Sequence, residues 1–273
     1  MLHYLCKNKN FVSDNLKSSL SPIHAKLVEL KSVSAGYGNE LALKDVNFTV
    51  WKHDFIGVIG PNGGGKTTLV KIILGLIKPL SGKVVSANQG DQANGFVGYL
   101  PQISQIDMRF PITVRDIVLS GFMSKQSHFY RYNHHEKELT LDLLAQMGIA
   151  HLENKTVGEL SGGQLQRVFV SRAIISSPKL LILDEPNTYV DNKFESDLYE
   201  LLRKLNESMA IIIVSHDVGT ISAYVKTIAC VNTYLHYHES NIITEEQLAS
   251  YNCPIQIITH GDVPHTVLEK HHH

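Results

Sequence analysis

Cysteine is scarce in this chain: Cys6, Cys230 and Cys253 are its only three. They lie far apart and form no CxxC pair, so neither a disulfide framework nor a thiolate metal site is expected, and they read as reduced cytosolic thiols. Long apolar runs are missing too. Nothing approaches the roughly eighteen consecutive apolar residues that a membrane-crossing helix needs. Residues 1–22 mix Cys, Lys, Asn, Asp and Ser and lack the apolar centre of a secretory leader, so no leader is expected. Charge of one sign is not in excess either: 25 Lys and Arg stand against 26 Asp and Glu, a net charge of -1. A nucleic-acid partner usually demands a basic surface, and this balance gives no support for one. No heptad run and no internal repeat is visible. Any work done across a membrane would need another chain to supply the path.

What remains is an ordinary apolar content of 43% over 273 residues, enough for one large α/β domain with a short appendage. The expected division is a polar extension over 1–22, a main domain over 23–235 with a helical insertion at about 104–158, and a His-rich appendage over 236–273. Imperfect alternation from Lys26 to Val33, a turn at Gly36-Tyr37-Gly38-Asn39 and a second strand from Leu43 to Trp51 predict a small antiparallel sheet. Phe55–Ile59, Leu180–Leu183 and Ile211–Val214 are short continuous apolar runs, the pattern of strands buried on both faces. Helical spacing follows the first of them over Thr67–Leu74. It recurs at Leu139, Leu143, Leu144 and Met147, closed by Gly148, and at Phe194, Leu198, Leu201, Leu202 and Leu205. Strand–helix–strand order with apolar strands implies a mostly parallel sheet covered by helices.

Two segments carry chemistry. Gly60-Pro61-Asn62-Gly63-Gly64-Gly65-Lys66-Thr67 fits G-x-x-x-x-G-K-[ST] between a strand and a helix. Glycines let successive backbone N–H groups point at a polyphosphate, and the helix that starts there adds its unpaired N–H groups and dipole. Lys66 is placed for the β- and γ-phosphates, Thr67 for Mg²⁺ and Thr68 for the phosphates. Leu180-Leu181-Ile182-Leu183-Asp184-Glu185 is an apolar strand ending in two carboxylates. Asp184 is placed to hold Mg²⁺, and Glu185 to orient or deprotonate an attacking water.

Leu160-Ser161-Gly162-Gly163-Gln164 matches the LSGGQ motif of ABC-type (ATP-binding cassette) ATPases. Ser161 can cap the helix that follows, with Gln164 at capping-box spacing. The chain thus resembles that family over roughly residues 25 to 235, which implies the P-loop cassette fold, ATP and Mg²⁺ as ligands, and ATP hydrolysis. By the same resemblance Tyr37 stacks on adenine, and Gln102 of Tyr99-Leu100-Pro101-Gln102 senses the γ-phosphate and its metal. Asp191 crosses a dimer interface, and His216 of Val214-Ser215-His216-Asp217 contacts the γ-phosphate. The cradle of Ser161, Gly162, Gly163 and Gln164 closes over the ATP of a second copy, head to tail. Taken singly, Tyr37, Gln102 and His216 would each pass for an ordinary polar or aromatic surface residue; in this order they carry the match. Pro186-Asn187-Thr188-Tyr189-Val190 departs from the family's usual small residues, which puts that loop's fine geometry in doubt.

Phe110-Pro111-Ile112-Thr113-Val114-Arg115-Asp116 and Gln164-Leu165-Gln166-Arg167-Val168 look like zinc- and manganese-type importers, and Ile258–His265 resembles the ends of some zinc-type subunits. The resemblance implies a peripheral subunit on the cytoplasmic face, with a separate permease and an extracytoplasmic solute-binding protein. Two readings stay open beside metal uptake: another solute or export, and a soluble non-transport ABC protein. His236 and His238, two apart, would share a face of a strand. With His260, His265 and His271–His273 they form either a regulatory metal site or surface and purification-tag histidines, while His134-His135 reads as a solvated face.

Overall fold

The computed structural model describes residues 25–38, 40–87, 95–102, 107–122, 131–186, 192–216, 218–238, 240–241, 255–260 and 263–268. Its centre is a six-stranded sheet. β3 (Phe55–Ile59), β5 (Val97–Leu100), β6 (Leu180–Asp184), β7 (Ala210–Val214), β8 (Thr227–Asn232) and β9 (Tyr234–His238) stand in the order β5-β6-β7-β3-β8-β9. All neighbours run parallel except β8 and β9. β1 (Lys26–Tyr37), β2 (Glu40–Trp51) and β4 (Ser81–Ser86) form a separate antiparallel sheet in the order β2-β1-β4.

The apolar runs explain the layering. Every residue of β3, β6 and β7 is buried, and side chains alternate between the two faces with period two. Phe55, Ile59, Leu181, Leu183, Ile211 and Ile213 point into one core. That core is closed by α2 (Val114–Leu119), α3 (His134–Gln146), α4 (Gly162–Ile174) and α5 (Asn192–Asn206). Ile56, Val58, Leu180, Ile182, Ile212 and Val214 point into the other, shared with α1 (Lys66–Ile73) and the antiparallel sheet. α1 is thus wedged between the sheets by Leu69, Val70, Ile72 and Ile73. A short helix α6 (Val218–Ser222) precedes β8.

The helix starts follow their capping residues. Thr113 accepts the Asp116 N–H at α2; Asn133 with Glu136, and Ser161 with Gln164, make full capping boxes at α3 and α4. Gly148, at φ 70°, follows the last turn of α3. The first hairpin is tighter than its glycines suggest. Gly36 and Tyr37 stay in β1, paired with Leu41 and Glu40, and Gly38 at φ 58° begins the reversal. β9 carries the main sheet past residue 235, the expected end of the domain, because its backbone pairs with β8 from Asn232↔Tyr234 to Ile228↔His238. Beyond it, β10 (Ile255–His260) and β11 (Val263–Leu268) form a two-stranded hairpin. Among the described residues no helix is long and apolar enough to cross a membrane.

Candidate nucleotide site

The phosphate-type loop leaves the buried end of β3 and turns hard against β8. Gly60 has φ 147°, and a Cβ there would stand 2.0 Å from the Val231 carbonyl oxygen, so only glycine fits. The Gly64 carbonyl accepts the Thr233 N–H at 2.9 Å, and the Thr233 carbonyl accepts the Lys44 N–H at 2.7 Å. These two bonds stitch the loop to the β8–β9 turn and to β2. Gly65 occupies the N-cap of α1 and offers no side chain to cap it. No side chain competes for the first turn of α1, and such helix starts suit an anion. Lys66 is buried, and its ammonium donates to the carbonyls of Gly60 at 2.8 Å and Pro61 at 2.9 Å. Asn62, Gly63 and Thr67 are exposed, and Thr68 is buried.

The acidic pair stands at the C-terminal end of β6. Asp184 is 6% exposed, and the Tyr99 hydroxyl on β5 lies 3.5 Å from its Oδ2. Burial, and then the Glu185 charge, push the Asp184 carboxyl above its ordinary 3.8, while Lys66, Tyr99 and Lys71 pull the other way. Burial first, and the Asp184 charge second, push the Tyr99 phenol up to about 12, so it remains a donor at neutral pH. Glu185 sits at φ 48°, a left-handed conformation for a non-glycine residue. Its N–H donates to the Val214 carbonyl at 2.9 Å. Its Oε2 accepts the Gln102 amide at 2.7 Å, and His216 Nδ1 lies 3.6 Å from Oε1.

Gln102 follows β5, Glu185 follows β6, His216 comes two residues after β7, and the glycine loop follows β3. Those strands are adjacent in the order β5-β6-β7-β3, so one edge of the sheet gathers them all, where ligands of open α/β sheets bind. Tyr37 lies at the end of β1, 53% exposed, with Lys71 Nζ of α1 3.5 Å from its hydroxyl and 5.7 Å from its ring centroid. Ser161 and Gln164 hold each other: Ser161 N–H donates to Gln164 Oε1 at 3.0 Å, and Gln164 N–H to Ser161 Oγ at 3.4 Å. Gly162 and Gly163 open α4 beside them. Asp191 and the segment Asn187–Val190 lie outside the described residues.

Sequence reasoning passed over Tyr99 and Lys71. Tyr99 opens the Tyr99-Leu100-Pro101-Gln102 segment but reaches Asp184 only because β5 and β6 are neighbours, and Lys71 belongs to no local motif. His236 and His238 do fall on one strand, and burial, then His236, hold the His238 imidazole below its ordinary value. Among the described residues no three metal-capable side chains cluster.

The raised Asp184 pKa has a sign that can be checked. The folded chain binds this proton more tightly than the unfolded chain, so stability falls as pH rises from 3.8 through the folded value and stays lower above it. Asp184→Asn removes the buried charge. Without nucleotide at pH 7, that variant is expected to melt about 2–4 °C above wild type, a gap that narrows as pH falls toward 4. Calorimetric melts at both pH values check it; a variant that melts lower at pH 7 contradicts the stated balance of charges.

A family model described as "ABC transporter" matches residues 43–188. A Thermotoga maritima protein named "Probable metal transport system ATP-binding protein" is 40% identical over 215 residues, 78% of this chain and 84% of the relative. The zinc uptake system ATP-binding protein ZurA of Listeria innocua is 36% identical over 249 residues, 84% of this chain and 96% of the relative. Among solved structures, a chain of an ABC transporter in an inward-facing conformation superposes with a TM-score of 0.76 at 26% identity, covering 90% of this chain and 98% of that one. A dimeric ATP-binding cassette in a post-hydrolysis state, bound to ADP and phosphate, gives 0.66 at 25% identity, covering 80% and 100%. The chain belongs to the ABC transporter family and is an ABC-type ATPase.

Proposed function

We propose that this chain drives uptake of a divalent metal ion, zinc or manganese, by hydrolysing ATP for a separate membrane permease. The single observation that carries the choice of cargo is the zinc uptake relative, alike over nearly its whole length rather than over the motifs alone. The hydrolytic part rests on the carboxylate of Glu185 between Gln102 and His216.

In this reading, ATP lies along the loop from Gly60 through Asn62, Gly63, Gly64 and Gly65 to Thr68, with its adenine on Tyr37. Thr67, Asp184 and the Gln102 amide oxygen make an oxygen-only donor set suited to Mg²⁺, and the buried Asp184 charge is one that a cation relieves. Magnesium, when bound there, supplies positive charge against the phosphate oxygens. Glu185 accepts a proton from the attacking water, Gln102 holding one of its oxygens. Lys66 and His216 donate toward the γ-phosphate as negative charge builds on it. A second copy closes head to tail, presenting its Ser161–Gln164 helix start to this chain's nucleotide, with Asp191 at the seam. The solved dimeric cassette supports this pairing. The chain works peripherally on the cytoplasmic face, with a permease and an extracytoplasmic solute-binding protein as partners and no nucleic acid.

The test is elemental analysis of source cells grown in scarce metal with wild-type protein or Glu185→Gln. Zinc or manganese is expected to fall at least about fivefold in the variant while other metals hold, because losing the general base slows hydrolysis by about 10²–10⁴-fold and leaves only uptake by other routes. Equal contents of every metal, with the variant expressed, remove the metal reading and leave the ATPase standing.

A further inference from the structure

Gln166 lies on α4 and is fully buried, uncommon for an amide. Its Nε2 donates to the carbonyl oxygen of Pro186. That bond also settles which end of the amide is nitrogen, since a carbonyl can only accept. The Gln166 Oε1 is buried with no hydrogen-bond partner among the described residues. Burying an unsatisfied acceptor is unfavourable, and an apolar side chain of this size would fill the space without that cost. The position is therefore explained by its donor and not by packing.

What the donor holds is the turn that carries Glu185. Pro186 comes next in the chain, and Glu185 adopts φ 48°, a conformation that persists only where the surroundings enforce it. Two hydrogen bonds bracket it: the Glu185 N–H to Val214 O on one side at 2.9 Å, and the Gln166 amide to Pro186 O on the other. The backbone so fixed aims the carboxylate at Gln102, 2.7 Å away. Gln166 also stands about one and a half turns from Ser161 on the same helix.

We propose that Gln166 is a positioning residue for Glu185, clamping its left-handed turn to the helix that begins with Ser161. This rests on the reading of Glu185 as the group that activates water. One rigid helix then ties the Ser161 end, which faces a partner's nucleotide, to the carboxylate serving this chain's own.

Gln166→Met keeps length and helix preference but loses the donor. In the purified full chain, the variant is expected to keep the KM for ATP and the dissociation constant for MgATP within about twofold, while kcat falls at least about tenfold. A helix-packing role would instead lower melting temperature and nucleotide affinity together. In single-turnover assays, Gln166→Met added to Glu185→Gln is expected to cause no further loss, as residues acting through one another are non-additive. A kcat within twofold of wild type, or a tenfold loss repeated in the Glu185→Gln background, overturns the proposal. Should Gln166→Met fail to fold, Gln166→Leu, also without a donor and a good helix former, carries the same expectations and the same refutation. Glu185→Gln hydrolysing at the wild-type rate would refute the underlying role of Glu185; Glu185→Gln inactive with Gln166→Met active refutes this inference alone.

Discussion

Glu185→Gln is expected to bind ATP at least as well as wild type while hydrolysing it about 10³-fold more slowly, within the range that general-base catalysis contributes. The substitution is isosteric, and the new amide oxygen can still accept from Gln102, which now bonds Oε2 at 2.7 Å. Geometry is therefore kept while the proton acceptor is lost. Electrostatics favour tighter binding in the variant. Burial first, and the Glu185 charge second, raise the Asp184 pKa, so two carboxylates repel each other at the place where a triphosphate must add more negative charge. Removing one relieves that crowding, which is why affinity is not expected to fall. If binding of ATP closes two copies and hydrolysis reopens them, the variant should stall closed. Size-exclusion chromatography with ATP is then expected to show a species of twice the mass that wild type shows only transiently. Hydrolysis at the wild-type rate would move the catalytic assignment off Glu185. A dead variant that stays monomeric with ATP would leave the chemistry in place and remove the head-to-tail pairing.

The parts legible in the sequence were those in which a local pattern suffices. β3, β6 and β7 read directly, because a strand buried on both faces is apolar at every position. The capping box of Ser161 and Gln164 read directly as well, since its two residues lie three apart. Four strands were hidden for physical reasons. β4 is exposed or half-buried throughout and carries no apolar run. β5 is four residues long and includes Gly98, whose missing side chain lets the strand approach α4: a Cβ there would meet the Ala173 carbonyl oxygen at 2.1 Å. β8 and β9 pair about Thr233, at φ 60°, where no glycine marks a turn. Convergence at the site was hidden more deeply. Gln102, Glu185 and His216 come from three segments far apart in sequence that meet because β5, β6 and β7 lie side by side, and the glycine loop joins them because β3, earlier in the chain, stands next to β7. The acidic strand end named Glu185 and family resemblance named Gln102 and His216; only the sheet explains why Gln102 should hold Glu185. Gln166 stood in plain view beside the LSGGQ segment, but its burial and its bond to Pro186 are facts of packing that no spacing rule reports.

The glycine loop supports the second large effect. Gly65→Ala is expected to weaken ATP binding at least about 100-fold and to lower the melting temperature by about 5 °C or more. Gly65 has φ 104°, where L side chains are strained, and its added Cβ would lie 2.5 Å from the Ala42 carbonyl oxygen and 2.7 Å from Leu43 Cδ2. Neither neighbour can give way easily. Ala42 belongs to β2, and Leu43 is fully buried in the core between the two sheets. Backbone strain of about 1–3 kcal/mol therefore combines with overpacking of about 1–3 kcal/mol. The strain is released only by shifting the start of α1, the N–H groups and Lys66 included, or by prying β2 from the loop. Gly63→Ala is the internal control. Gly63 also has a positive φ, 76°, but nothing lies within 4 Å of an added Cβ, so only the conformational cost of about 1–2 kcal/mol applies. Its affinity is expected to fall about five- to thirtyfold, with little change in melting. Titration with a fluorescent ATP analogue and thermal melts on both variants decide the matter. Equal losses at the two positions would mean that backbone conformation alone governs this loop and that the wall formed by β2 contributes nothing; a larger loss at Gly65 would show the antiparallel sheet acting as the mould that shapes the phosphate cradle.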